Sequence, residues 1–328
     1  MKQTTGCFDY RNVRYRYRAW VPENMPSVHD SSCRFDMSPM VLVHGFSQSS
    51  ETWQRVAPLF ARTRPVYALD LVGHGGSQAP HEVMPYLLAR QAEALLAFVH
   101  FVRENAASVM GAQVQKAGAQ TAGVQTAGEQ NDIAPKAIVV GYSLGGRVVV
   151  QAACASPEGF QREIAAVILE SAGLGLVADQ DVLDATKKDQ ACARRLRESG
   201  LVAFMNWWER QPVFATQADL DEEVRSNLRA DRLANDEEAL ARTFEHAGQH
   251  CMPRRAEVVD AAKTAVSAGV FAAYITGQRD KKYRLLARLI RSNTQLVDVT
   301  CEIVPGVGHN VHLEDPDAFV DAVERALA

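Results

Sequence analysis

Ser143, Asp280 and His309, in that chain order, are the side chains with which this sequence could do chemistry. Ser143 lies in Gly141-Tyr142-Ser143-Leu144-Gly145, after the apolar run AIVVGYS and before the helical pattern GRVVVQAACA. A strand–turn–helix of this kind holds a serine hydroxyl exposed above a sheet edge, with glycines where the backbone passes too close for a side chain. The hydroxyl is a poor nucleophile or proton carrier until a histidine takes its proton and a carboxylate orients that histidine. Asp280 in Thr276-Gly277-Gln278-Arg279-Asp280 and His309 in Pro305-Gly306-Val307-Gly308-His309-Asn310 each stand just past an apolar run and complete the set.

His44-Gly45-Phe46 ends an earlier run, so the amides of Phe46 and Leu144 could point together at a developing oxyanion. His44 and His74 read as loop architecture, Asp70 as part of an earlier loop, and His312 as a surface or substrate-side residue. Arg147 falls one helical turn after Ser143, where its guanidinium fork would suit a carboxylate of a substrate. A sheet or cap carboxylate would suit it equally. Trp207 and Trp208 read as a mixture of core packing and pocket wall. The histidines have no ligand spacing, and the six cysteines, at positions 7, 33, 154, 192, 251 and 301, have no knuckle or dithiol spacing, so neither a metal nor a cofactor is implied.

The elements that must position these groups are short apolar runs separated by helical patterns. MVLVHG (40–45), PVYALD (65–70), AIVVGYS (137–143), AAVILES (165–171), VFAAYITG (270–277) and CEIVPG (301–306) read as buried strands, and FDYRNVRYRYRAW (8–20) as one strand with a covered and a wet face. Strands alternating with helices predict an α/β fold, a mostly parallel sheet with helices on both faces. Its core would comprise residues 1–173 and 263–328, with a helical cap over 174–262 inserted before the Asp-bearing strand. Residues 111–132 contain AGAQT, AGVQT and AGEQN, which have nothing large to bury and read as a disordered or loosely helical insertion.

The chain has 328 residues, is 47% hydrophobic and carries a net charge of −4, which argues against a nucleic-acid partner or an anionic membrane for the whole molecule. Its start, MKQTTGCFDY, lacks the apolar core of a secretory signal, and no apolar run reaches the ~18 residues of a membrane span. A cytoplasmic monomer or weak homo-oligomer is expected.

Together, VHGFS (43–47), DLVGHGGS (70–77), GYSLGGR (141–147), WERQPVF (208–214), GQRDKKY (277–283) and GHNVHLEDP (308–316) resemble the 2-succinyl-6-hydroxy-2,4-cyclohexadiene-1-carboxylate synthases of the α/β-hydrolase superfamily. The resemblance runs from about Met40 to the end. It implies a lyase of menaquinone biosynthesis that eliminates pyruvate from a polycarboxylate, with Ser143, His309 and Asp280 as the base system and the Phe46 and Leu144 amides on the succinyl carbonyl. It also implies Tyr142, Arg147 and Trp208 as substrate contacts. One departure is Ala185, four residues before Asp189, where the family usually has arginine; Lys187 or Lys188 offers a point charge instead of a fork. The same triad would serve a serine hydrolase, an esterase or a carbon–carbon bond hydrolase, acting on a small acidic substrate. A non-catalytic binding protein is the third reading.

Overall fold

The apolar runs become the inner strands of one eight-stranded sheet. The computed structural model describes residues 1–23, 38–118, 134–296 and 298–328. Its strands are β1 (Lys2–Tyr10), β2 (Val13–Val21), β3 (Met40–Val43), β4 (Val66–Leu69), β5 (Ala137–Tyr142), β6 (Ile164–Glu170), β7 (Phe271–Gly277) and β8 (Val299–Val304). Their spatial order is β1-β2-β4-β3-β5-β6-β7-β8, with β1 and β2 antiparallel at one edge and every pair from β4 to β8 parallel.

The helices are α1 (Ala57–Phe60), α2 (Leu88–Gly118), α3 (Leu144–Ala155), α4 (Pro157–Glu163), α5 (Asp179–Trp208), α6 (Glu222–Leu233), α7 (Glu237–Ala247), α8 (Arg255–Ser267), α9 (Lys281–Ser292), α10 (Val311–Glu314) and α11 (Pro316–Leu327). Strand alternation decides which of them each side chain meets. Met40 and Leu42 of β3 face the layer holding Phe60 of α1 and Phe319 of α11, while Val41 and Val43 face Leu95, Phe98 and Val102 of α2 and Val148 of α3. Every residue of β3, β4 and β5 is buried, which is why these strands read as continuous apolar runs.

Between β6 and β7 the chain is helical. α5 and α7 form a small core of their own from Leu196, Phe204, Met205, Leu240 and Phe244. Gly200, at φ 78°, breaks α5 between its two halves. α8 then packs on α3 and β7, on a flank of the sheet.

Two elements differ from the sequence reading. The segment 8–20 is part of a hairpin, not one strand: Arg11 and Asn12 both have positive φ, 46° and 65°, and between them reverse the chain. The covered positions shift phase at the turn, from Phe8 and Tyr10 to Val13, Tyr15 and Tyr17, which the pairing of Tyr10 with Val13 and Phe8 with Tyr15 puts on one face. Residues 111–118 continue α2, while 119–132 lie outside the described residues. The buried Arg103 of α2 binds Glu163 and the carbonyls of Ala134 and Pro135, so it fixes where the chain re-enters the fold.

A two-residue turn with both φ positive favours Asn-Gly. Replacing Arg11 by Asn and Asn12 by Gly is expected to stabilise the chain by about 1 kcal/mol, read as a higher urea midpoint with an unchanged slope. A lower midpoint would contradict this turn.

Candidate active site

β5 delivers Ser143 into the left-handed region, φ 49° and ψ −101°, immediately before α3 begins at Leu144. The turn is tight enough that a Cβ on Gly145 would stand 2.3 Å from the Val43 carbonyl oxygen, and one on Gly141 would stand 2.8 Å from Gly146 Cα. Only glycine fits at either position. The Gly145 amide bonds the His44 carbonyl at 3.0 Å and the Ser143 amide bonds that of Glu170 at 2.9 Å, which ties the turn to β3 and β6.

Since β7 and β8 run parallel to β5, their C-terminal ends reach the same edge of the sheet. Asp280 caps α9, accepting the Tyr283 amide on Oδ1 at 3.1 Å, and accepts His309 Nδ1 on Oδ2 at 2.7 Å. His309 Nε2 lies 3.2 Å from Ser143 Oγ. All three side chains are buried. Glu314 shapes the His309 loop, accepting the Gly308 amide at 2.6 Å, the Asn310 amide at 3.3 Å and the Thr216 hydroxyl at 3.0 Å.

Other histidines near the site are structural. The Leu71 amide donates to His44 Nε2 at 2.9 Å, so Nδ1 carries the proton and donates to the Gly45 carbonyl at 2.7 Å. Burial pulls His44 down to about 4 and His74 to about 3, which leaves both neutral near pH 7. His312, expected at the surface or beside substrate, is instead fully buried, because Glu170 at the end of β6 takes its Nδ1 at 2.6 Å and Trp53 stacks on its ring at 3.9 Å. Asp70 binds the amides of Ser50 at 2.6 Å and Gly76 at 2.9 Å, within the loops beyond β3 and β4.

Ser143 opens on a cavity of about 160 Å³. Its apolar wall is Phe46, Trp208, Val213, Phe214 and Phe244, with Phe46 and Phe244 rings 4.2 Å apart and Trp208 5.4 Å from Phe46. Tyr142 and Leu144 line it too. Trp207 turns away, under the Arg195 guanidinium and against Phe204. Among the described residues, the amides of Phe46 and Leu144 donate to no other group, and Leu144 is the first residue of α3, where helix amides and dipole favour negative charge.

Four cations line the same cavity: Arg147, Lys188, Arg232 and Lys282. Arg147 Nη1 donates to the Ala247 carbonyl at 3.1 Å, and Lys188 stands beside the small Ala185, whereas Lys187 does not line the cavity. Sequence reasoning missed Arg232, which is 3% exposed, reaches Glu209 at 3.2 Å and Gln217 at 3.0 Å, and has its pKa lowered by burial. Its signal was present: Arg232 is four residues after the buried Leu228 and so shares the covered face of α6. The acid lining the cavity, Asp189, is engaged by His250 Nδ1 at 2.8 Å.

A sequence profile of the alpha/beta hydrolase family matches residues 40–322. The 2-succinyl-6-hydroxy-2,4-cyclohexadiene-1-carboxylate synthase of Salmonella heidelberg (strain SL476) is 30% identical over 288 residues, 88% of this chain and 93% of that protein. The chain belongs to this synthase family within the α/β hydrolases. Among solved structures, MenH from S. aureus superposes with a TM-score of 0.73 at 22% identity, over 95% of this chain and 97% of that one. A malate-bound esterase from Thermogutta terrifontis does so at 0.68 and 16% identity, over the whole of both chains. At these identities the superpositions show the shared fold.

The Asp189 and Cys251 contacts raise His250 from 6.5 to about 10. A raised pKa in the folded state contributes stability that is complete below 6.5 and is lost as pH rises towards 10. His250 is therefore expected to titrate near 10 by NMR, with Asp189→Asn lowering that value. Titration near 6.5 in the wild type would show that the pair does not form.

Proposed function

We propose that this chain catalyses the synthase reaction for which its relatives are named, expelling pyruvate from 2-succinyl-5-enolpyruvyl-6-hydroxy-3-cyclohexene-1-carboxylate. The observation that carries this reading is the set of cations around Ser143, because a neutral ester gives no use to Arg147, Lys188 and Lys282, which pair with no carboxylate among the described residues, beside Arg232 in one small cavity. Arg147 Nε, Arg232 Nε and Trp208 Nε1 are buried donors with no protein acceptor among the described residues. Substrate carboxylates would offset that desolvation.

Ser143 acts as the base. His309 draws the hydroxyl proton towards Nε2 while Asp280 holds Nδ1–H, and the oxygen removes the ring proton next to the succinyl carbonyl. The electron pair left by that C–H bond moves through the carbonyl to form an enolate. The charge returns through the ring double bond as the bond from the ring carbon to the enolpyruvyl oxygen breaks; the group leaves as the enolate of pyruvate, and the proton gained by the Ser143–His309 pair goes to its methylene carbon, which gives pyruvate and restores the triad. The Phe46 and Leu144 amides hold the enolate oxygen. The aromatic wall packs the cyclohexene ring, with Tyr142 and Trp208 in contact, while Arg147, Arg232 and Lys188 take carboxylates. No bond forms between enzyme and substrate, so no water is needed to release one.

No described helix is long and apolar enough to cross a membrane. A cytoplasmic enzyme acting as a monomer or weak oligomer on a diffusible polycarboxylate fits the reading.

Arg147→Ala tests it. The expected loss in kcat/KM on the polycarboxylate is about 10²-fold or more, from a charged hydrogen bond of roughly 1.5–3 kcal/mol and its orienting role, with little change on a neutral p-nitrophenyl ester. Equal losses on both would favour a general serine hydrolase.

A further inference from the structure

A second cavity, of about 290 Å³, lies between α8 and α9 over β6 and β7 and shares no lining residue with the site around Ser143. It exists because α8 turns Ala261, Ala262 and Ala265 towards a space that larger side chains would close. Leu289 of α9, 50% exposed, marks where it meets solvent. It is about twice the size of the ~150 Å³ apolar cavities that stay dry and take up benzene.

Its polar side chains are few and mostly spent. The Tyr274 hydroxyl donates to the Ala172 carbonyl at 2.8 Å, and burial raises the Cys154 thiol to about 11, keeping it neutral. Arg255 is the exception. Half-buried in the lining, it donates Nε to the Leu174 carbonyl at 2.7 Å and Nη2 to that of Gly175 at 2.8 Å, and it pairs with no carboxylate among the described residues. Burial pulls the Arg255 pKa below its ordinary value, while the Tyr274 hydroxyl and the Asp181 carboxylate act the other way.

An apolar cavity with a single cation in its lining suits one anionic group on an apolar tail. We infer that the cavity between α8 and α9 is a second binding site, for a medium-chain fatty acid whose carboxylate meets Arg255 and whose alkyl chain fills the apolar space. At about twice the volume that takes up benzene's six carbons, the cavity accepts a chain on the order of ten carbons. α9 gives the cavity only its apolar face, Leu286, Leu289 and Ile290, which leaves Arg255 as the cation in the lining.

Calorimetric titration of the full chain with decanoate and decan-1-ol tests this. Decanoate is expected to bind one per chain and at least tenfold more tightly than decan-1-ol. Arg255→Met should remove that difference, Ala262→Phe should abolish binding of both, and Arg147→Ala should leave decanoate binding unchanged. Equal affinities for acid and alcohol in the wild type would overturn the role of Arg255 without recourse to any variant. Loss of decanoate binding in Arg147→Ala would place the ligand in the cavity around Ser143 and overturn the second site, as would absence of binding. A crystal soaked with 10-bromodecanoate should show bromine between α8 and α9; bromine beside Trp208 would contradict it.

Discussion

The site depends on a strained turn. Ser143 sits at φ 49°, a region a side-chain-bearing residue enters at a cost of order 1–3 kcal/mol. The cost is met by a strand buried along its whole length, by glycines at 141 and 145, and by amide bonds from the turn to the neighbouring strands. Relaxing that turn would swing the hydroxyl out of reach of His309. The parallel sheet then does the rest, because strands that run the same way end at the same edge, and the loops after β7 and β8 need only short extensions to bring Asp280 and His309 together.

That geometry explains why so much of the site was legible in the sequence. Ser143, Asp280 and His309 each follow an apolar run by a few residues, and a fully buried parallel strand leaves a run that is hard to misread. The hairpin at Arg11-Asn12 was missed because Asn12 is followed by Val13 rather than glycine, and the one-residue shift in the covered positions, from 8 and 10 to 13, 15 and 17, is small within so short a run. His312 was misplaced because its partner, Glu170, lies 142 residues away, and nothing local to His312 announces burial. Arg232 was missed for a similar reason: its setting is made by helices that meet only in the fold, although its spacing from Leu228 put it on a covered face.

The triad does not by itself choose a reaction. The fold neighbours include an esterase as well as a MenH protein, so the choice is made by what surrounds the serine. Here the helical segment between β6 and β7 contributes Lys188, Trp208, Arg232 and Phe244, and α3 contributes Arg147. Aromatic faces and cations in one cavity suit a six-membered ring bearing several carboxylates. Lys188, on the same helix as the small Ala185, supplies one of these charges. A lysine there gives a movable point charge in place of a fixed fork, which shifts more of the orienting burden to Arg147 and Arg232.

The most direct measurement is pyruvate release from the enzymatically generated enolpyruvyl precursor, followed in the wild type and in Ser143→Ala. Rapid release by the wild type is expected, with the variant reduced by about 10³-fold or more, on the order of other triad serine losses. Release at the spontaneous rate in both proteins, alongside serine-dependent turnover of a simple ester, would contradict it.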